Sequence, residues 1–311
     1  MSKRILLAAP RGFCAGVERA IEIVERAIEK FGAPVYVRHE IVHNKHVVQG
    51  LRDQGAVFID ELDEAPSGSN VIFSAHGVPE ELFADAASRG LNVIDAACPL
   101  VKKVHFAVKR HAAQGRTVVL IGHKGHPEVV GTMGQLPEGS VVLVGSPDEA
   151  RTLELPEGRD FAYTTQTTLS VDETRDIIDA LRERFPNIAG PAKGDLCYAT
   201  TNRQAAVRGM APEVDVLLVI GSRTSSNTSR LRELGQKLGI PSYLLDHADE
   251  VDAEWFREAR TIGITSGASA PESLVQGLVE RIQSLHPGTT VTTWEGIAEN
   301  VHFPIPKELA G

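Results

Sequence analysis

The chain has 311 residues, of which 42% are hydrophobic and 23% charged, with a formal net charge of −9. That is ample apolar material for buried cores, and an acidic chain without basic runs is a poor nucleic-acid binder. No stretch reaches the roughly 18 apolar residues that a transmembrane helix needs, so a transmembrane helix is excluded.

The first ten residues open on a strand-like run, Ile5 to Ala9, and lack the charged start, apolar stretch and cleavage site of a secretory signal. Three cysteines are too few and too odd in number for a disulfide framework, which predicts a reducing, cytoplasmic setting. Cys14 follows that strand, and the apolar stripe Val17, Ala20, Ile21, Val24, Ile28, Phe31 predicts a helix after it. A strand over Val35–Val37 then runs into the polar loop His39–Asn44. A helix, a strand over Ala56–Ile59 and a further strand meeting Ser74-Ala75-His76-Gly77 follow. A helix starting near Pro79 leads to the strand-like Asn92–Ala96.

Cys98 opens the same order again. Pro99 suits a first helical turn, and Val101, Val104, Val108 and Ala112 supply the apolar face. Strands are expected over Val118–Ile121 and Val141–Val144, polar loops over Gly122–Glu128 and Thr164–Thr168, and a helix from near Val171. Cys197, after the turn Gly194–Leu196, opens it a third time, with Ala205, Val207 and Met210 on a shorter helix. Strands over Val216–Ile220 and Tyr243–Leu245, loops over Gly221–Asn227 and Thr265–Ser269, and a helix from near Pro271 complete it.

The cysteines are 84 and 99 residues apart. Strands alternating with helices predict an α/β fold with small parallel sheets. The repeat predicts three similar modules over residues 14–97, 98–196 and 197–311, with 1–13 joining the third. Ligands of such sheets sit beyond the carboxyl ends of the strands. Each module offers one cysteine and two polar loops there. Modules that turn these ends inward form a pseudo-threefold trefoil with one shared site.

A lone cysteine is most often a small buried hydrophobe. Three at corresponding places before helix N-termini, where a thiolate is favoured, point instead to a soft metal group. The candidates are an iron–sulfur cluster with one iron lacking a cysteine, or a zinc site completed by histidine or water. Among eleven histidines, His43, His76 and His126 stand at strand ends, where neutral-pH proton donors suit a phosphate-type anion. The run Thr224 to Ser229, with Ser225, Ser226 and Asn227, exceeds what one helix cap needs and suits an anion. Ser269, ahead of Pro271, is a second such place, and the Gln166-Thr167-Thr168 turn carries hydroxyls able to pass a proton. Glu128 is either a first-turn carboxylate or, in an anion site, a general acid. Neither a phosphate-binding P-loop nor a dinucleotide fingerprint is present, so electrons for any redox step must come from another protein.

The stretch Pro10-Arg11-Gly12-Phe13-Cys14-Ala15-Gly16-Val17 resembles the first cysteine motif of the 4-hydroxy-3-methylbut-2-enyl diphosphate reductases, which end the non-mevalonate isoprenoid pathway. Matching motifs follow in order at 39–44, 74–77, 95–101, 122–135, 165–170, 195–204, 225–227, 267–271 and 306–309. The resemblance therefore spans essentially the whole chain. It implies a trefoil of three α/β modules around a 4Fe–4S cluster, with Cys14, Cys98 and Cys197 as ligands and one open iron. It implies two-electron reduction of (E)-4-hydroxy-3-methylbut-2-enyl diphosphate, an allylic diphosphate, to isopentenyl and dimethylallyl diphosphates, with flavodoxin or ferredoxin as donor. His43, His76, His126, Ser225, Ser226, Asn227 and Ser269 then hold the diphosphate. Thr167 meets the hydroxyl end with Thr168 nearby, and Glu128 donates the proton. Apart from the resemblance, the residues leave open a three-cysteine zinc hydrolase with Glu128 as base, and a non-catalytic iron–sulfur sensor of an anionic metabolite.

Overall fold

The computed structural model describes residues 3–156 and 158–309. The module limits expected at residues 1 and 311 lie outside them. In chain order the elements are β1 (Arg4–Ala8), α1 (Ala15–Phe31), β2 (Val35–Arg38), α2 (Lys45–Asp53), β3 (Ala56–Ile59), β4 (Asn70–Phe73), α3 (Glu81–Ser88) and β5 (Asn92–Asp95). Then come α4 (Pro99–Ala113), β6 (Thr117–Ile121), α5 (Pro127–Met133), β7 (Val141–Val144), α6 (Pro147–Thr152), β8 (Phe161–Thr165) and α7 (Val171–Arg184). The last are α8 (Tyr198–Met210), β9 (Val216–Ile220), α9 (Ser226–Lys237), β10 (Ser242–Leu245), β11 (Thr261–Ser266), α10 (Glu272–Leu285) and β12 (Thr290–Trp294).

Among the described residues the strands form three parallel sheets, which makes the fold α/β. They share one pattern of strand order: β3-β2-β4-β5, β7-β6-β8 and β10-β9-β11-β1-β12. In the second of these, an isolated parallel bridge from Ala162 to Ala189 takes the place that β5 and β1 hold in the others. The turn Gly194–Leu196 contributes no strand.

The chain divides into two compact units. One comprises Met1–Ala15, His43–Val47 and Tyr198–His302. Its sheet is covered on both faces, as parallel sheets require, and alternation along β1 shows how. Ile5 and Leu7 pack with Val216, Leu218, Ile262 and Ile264 under Val275, Leu278 and Ile282 of α10. Leu6 and Ala8 face the other way, with Leu217 and Val219, under Val207 and Met210 of α8 and Leu231 and Leu234 of α9.

The other unit comprises Gly16–Val42, Val48–Cys197 and Phe303–Gly311. In its β6–β8 sheet, Val119, Ile121 and Tyr163 pack under α7, while Val118 and Leu120 face Val108 of α4 and Val129 of α5. In its β2–β5 sheet, Val71 and Phe73 pack with Ile59 and Ala86. The C-terminal tail is held by Arg19, whose Nε donates to Pro304 O at 2.8 Å, and by the burial of Leu309.

The buried stripe of α1 is Val17, Ala20, Ile23, Val24 and Ala27, so Phe31, expected inside, is 43% exposed. Val17, Ala20 and Val24 are buried as expected, whereas Ile23 and Ala27 are buried in place of the half-buried Ile21 and Ile28. In α8, Ala206 rather than Ala205 is buried. Two elements were not expected. They are α6, with Pro147 in its first turn and Ser146 as its cap, and the edge strand β12, whose Thr-rich residues are mostly exposed.

Candidate active site

Each cysteine stands directly before a helix, Cys14 before α1, Cys98 at the cap of α4 and Cys197 before α8, and each is half-buried. Each backbone amide donates to a carbonyl two residues beyond a strand. The bonds are Cys14 N to Ala268 O after β11 (3.1 Å), Cys98 N to Ala75 O after β4 (3.0 Å) and Cys197 N to Thr167 O after β8 (3.0 Å). Every cysteine is thus fastened to the sheet the chain has just finished, as well as to the helix it opens.

In the first unit, Ala268 is a hub. Its carbonyl takes the Cys14 amide, and its own N–H donates to Asn227 Oδ1 at 3.0 Å. Asn227 Nδ2 donates to Thr200 Oγ1 at 3.3 Å, so both ends of this buried amide are engaged. Neighbouring Ser269 donates from Oγ to His43 O at 3.1 Å. Ser225 caps α9, its Oγ accepting from Thr228 N at 3.4 Å, and half-buried Ser226 begins that helix. Gly267 permits the approach: a Cβ there would lie 2.0 Å from Thr228 Oγ1. The loop after β11 therefore gathers Cys14, His43, Asn227 and Ser269.

In the second unit, His76 and His126 meet edge to face with ring centroids 6.0 Å apart. Two glycines make this possible. Gly77 has φ +74°, and Gly131 of α5 lies so close to the Gly77 carbonyl that a Cβ would be 2.9 Å from it. Gln135 Nε2 ties α5 to the same loop, donating to Val78 O at 2.8 Å. His126 caps α5, with Nδ1 accepting from Glu128 N at 3.1 Å. Glu128 is only 2% exposed. Its Oε1 accepts from Thr167 N at 2.7 Å and its Oε2 from Thr167 Oγ1 at 2.8 Å. Beside Thr167, Gln166 donates from Nε2 to Thr168 Oγ1 at 2.9 Å and accepts from His123 N at 3.1 Å.

Burial pushes the Glu128 carboxyl up to about 7. The two Thr167 hydrogen bonds hold it down against that effect, and the negative charge of Asp195 adds to the rise. A carboxyl in this range carries a proton about half the time at neutral pH and is poised for general acid catalysis.

Several residues that build these surroundings were not singled out from the sequence. Buried Asp195 accepts from Thr164 Oγ1 at 2.6 Å and lies 3.3 Å from Lys103 Nζ. Fully buried Arg203 donates to Gly12 O at 2.8 Å and pairs with Glu299 at 3.1 Å, fixing the approach to Cys14. Tyr198, next to Cys197, accepts from the N–H of Ala15, next to Cys14, at 3.0 Å. Burial raises the Tyr198 hydroxyl well above its usual range. Arg203 and Tyr198 lie inside the 195–204 motif, and that is the one signal that could have found them. Among the described residues no three His, Cys, Asp or Glu side chains gather closely enough to hold a metal ion. None of the described helices is long and apolar enough to cross a membrane.

Parallel sheets that present cysteines, histidines and a buried glutamate of raised pKa at their carboxyl ends define an α/β enzyme. A family model described as LytB protein matches residues 5–283. The 4-hydroxy-3-methylbut-2-enyl diphosphate reductase of Aromatoleum aromaticum is 57% identical over 307 residues, covering 99% of this chain and 98% of that protein. That of Burkholderia pseudomallei is 58% identical over 306 residues, covering 98% and 97%. The solved structure of the E-1-hydroxy-2-methyl-but-2-enyl-4-diphosphate reductase from Plasmodium falciparum superposes with a TM-score of 0.96 at 38% identity, covering 100% of this chain and 98% of that one. The chain belongs to the LytB family of 4-hydroxy-3-methylbut-2-enyl diphosphate reductases and is an oxidoreductase. Relatives named as reductases set aside the zinc hydrolase and the non-catalytic sensor.

Proposed function

We propose that this chain reduces (E)-4-hydroxy-3-methylbut-2-enyl diphosphate with two electrons and two protons, giving isopentenyl and dimethylallyl diphosphates and water. The observation that carries the reading is Glu128, buried, gripped by Thr167 and held near pKa 7 next to His126. An allylic hydroxyl leaves poorly as hydroxide and well as water, so the reaction needs a positioned acid that still carries its proton at neutral pH. Glu128 is that acid. Thr167 orients it and meets the substrate hydroxyl, with Thr168 alongside.

The diphosphate is held by neutral groups: His43, His76, His126, Ser225, Ser226, Asn227 and Ser269. Ser225 Oγ accepts from a backbone N–H and keeps its own proton for a phosphate oxygen. Asn227 orders the Ala268 loop and presents its amide there. The helix N-termini of α5 and α9 add favourable dipoles.

Cys14, Cys98 and Cys197 would hold a 4Fe–4S cluster, leaving one iron without a protein ligand. Their fit rests on donor chemistry: three half-buried thiols before helix N-termini, which favour thiolate. Each also shares the same amide-to-loop bond. The cluster, when bound, supplies single electrons and a Lewis-acidic iron. In the same reading each cysteine opens a module, over 14–97, 98–196 and 197–311 with 1–13. The strand membership of the three sheets supports that division. Electrons arrive from an outside carrier such as flavodoxin or ferredoxin, and the enzyme works in the cytoplasm.

Anaerobically purified protein, given dithionite-reduced methyl viologen and the allylic diphosphate, should be brown and should release both isomeric products. Brown protein that leaves the substrate untouched would refute the reading.

A further inference from the structure

We propose that the exposed face of α4, centred on Phe106, is the docking surface for a small acidic electron-transfer protein. The inference rests on the reading above that electrons reach this chain from outside, and adds where they enter. Residues 96–127 carry six Lys and Arg residues (Lys102, Lys103, Lys109, Arg110, Arg116 and Lys124) and not one Asp or Glu, in a chain of net charge −9. Four of the cations come as the adjacent pairs Lys102-Lys103 and Lys109-Arg110, and no run of basic residues is longer than two.

Helix α4 fills the middle of this segment. Lys103, Phe106 and Arg110 are exposed on it at spacings of three and four, which places them on one face. Phe106, at 69%, is the most exposed large hydrophobic side chain among the described residues. It borders a cleft of about 230 Å³ lined by Glu80, Phe83, Asp95, Lys102, His105 and Lys109. Lys102 and Lys109 pair with Asp95 and Glu80, each at 2.6 Å, which holds them at the rim of the cleft.

An exposed ring contributes nothing to folding, whereas an aromatic side chain amid cations has the make-up of a protein–protein anchor with a steering rim. Asp95, Glu80 and Asp195 balance Lys102, Lys109 and Lys103, so the excess positive charge that favours an acidic partner comes from Arg110 on this face, with Arg116 and Lys124 farther along the segment. A carrier is the occupant this position favours. The helix begins at Cys98, a proposed cluster ligand, and Phe106 lies eight residues on, about 12 Å along the axis at 1.5 Å per residue. A carrier seated there is separated from the cluster by one helix. The balance is simple: two reduced carriers are each oxidised by one electron. Those two electrons and two protons break one allylic C–O bond, form one C–H bond and leave water.

The test uses the cluster-loaded enzyme with two reductants, an acidic flavodoxin and dithionite-reduced methyl viologen. Phe106→Ser should raise KM for flavodoxin about tenfold, the order expected of a central aromatic anchor. Arg110→Glu should raise it less and flatten its dependence on ionic strength. With viologen both variants should stay within about twofold of the parent, as exposed substitutions do. Lys237→Glu, an equal charge change at the exposed end of α9, should alter neither rate. Unchanged flavodoxin kinetics in both variants would overturn the docking site, including the case in which Phe106 proves to join two copies of this chain. Equal losses with both reductants would also overturn it. A parent enzyme inactive with viologen would instead break the functional reading itself.

Discussion

The loop cluster around Ala268 and the pocket around Glu128 are built from similar strand-end loops, yet they differ in chemistry. In the first, Asn227, Ser225 and Ser269 are neutral and engage backbone groups and Thr200, with Ser225 only accepting there. In the second, two histidines and a carboxyl crowd together, and burial moves the carboxyl into the neutral range. In the proposed reading one region holds the anion and the other delivers the proton. The shared architecture fixes where the loops lie, and the side chains planted there divide the labour.

The sharpest way to break this comparison lies outside both regions. Serine at Cys14, Cys98 or Cys197 should remove most of the bound iron and nearly all turnover, because an alcohol is a poor ligand for soft metal groups. Iron content and activity, measured on the same preparation, check it. Full iron and full rate in any one variant would take that cysteine out of the ligand set.

Next in size is Glu128→Gln, which keeps shape and hydrogen bonding but carries no transferable proton. Single-turnover kcat should fall roughly 10²–10⁴-fold, the range for general acid catalysis, with substrate affinity little changed. On the other side of the comparison, Asn227→Ala should act mainly on KM, by about tenfold, since it removes binding common to ground and transition states. A large fall in kcat with constant KM would move Asn227 from the anion to the chemistry.

The smallest effect is a shift of sign rather than rate. The Thr167 hydroxyl bond holds the Glu128 pKa down. Thr167→Val should therefore move the fall in kcat/KM with rising pH to higher pH. Movement to lower pH would show that the hydroxyl does not stabilise the charged carboxylate.

Much of this was legible in the sequence because it is local. Strand ends, helix starts and the motifs carrying Cys14, Cys98, Cys197, His126 and Glu128 are contiguous, and strands such as Val216–Ile220 and Ala56–Ile59 lie where they were expected. What escaped depends on distant partners. Nothing local marks Arg203, which is wholly buried because Gly12 O and Glu299 meet it there. Asp195 reads as a turn residue, and only the fold brings Thr164 and Lys103 to it. Strand β12 escaped for the opposite reason. It is an exposed edge paired only to β1, so it lacks the apolar alternation that marks a half-buried strand.

The central claim, that Glu128 is the proton donor and carries its proton near neutrality, is tested most directly by the pH dependence of kcat/KM with a small-molecule reductant, compared between the parent and Glu128→Gln. Because burial raises the pKa, the active, protonated form dominates below about pH 7 and is lost above it. The parent should show kcat/KM falling with a single-proton slope as pH rises through about 7. The Gln variant should be slower and lack that limb, while any limb belonging to the diphosphate persists in both. The same falling limb in the Gln variant would assign the titration to another group and contradict the account.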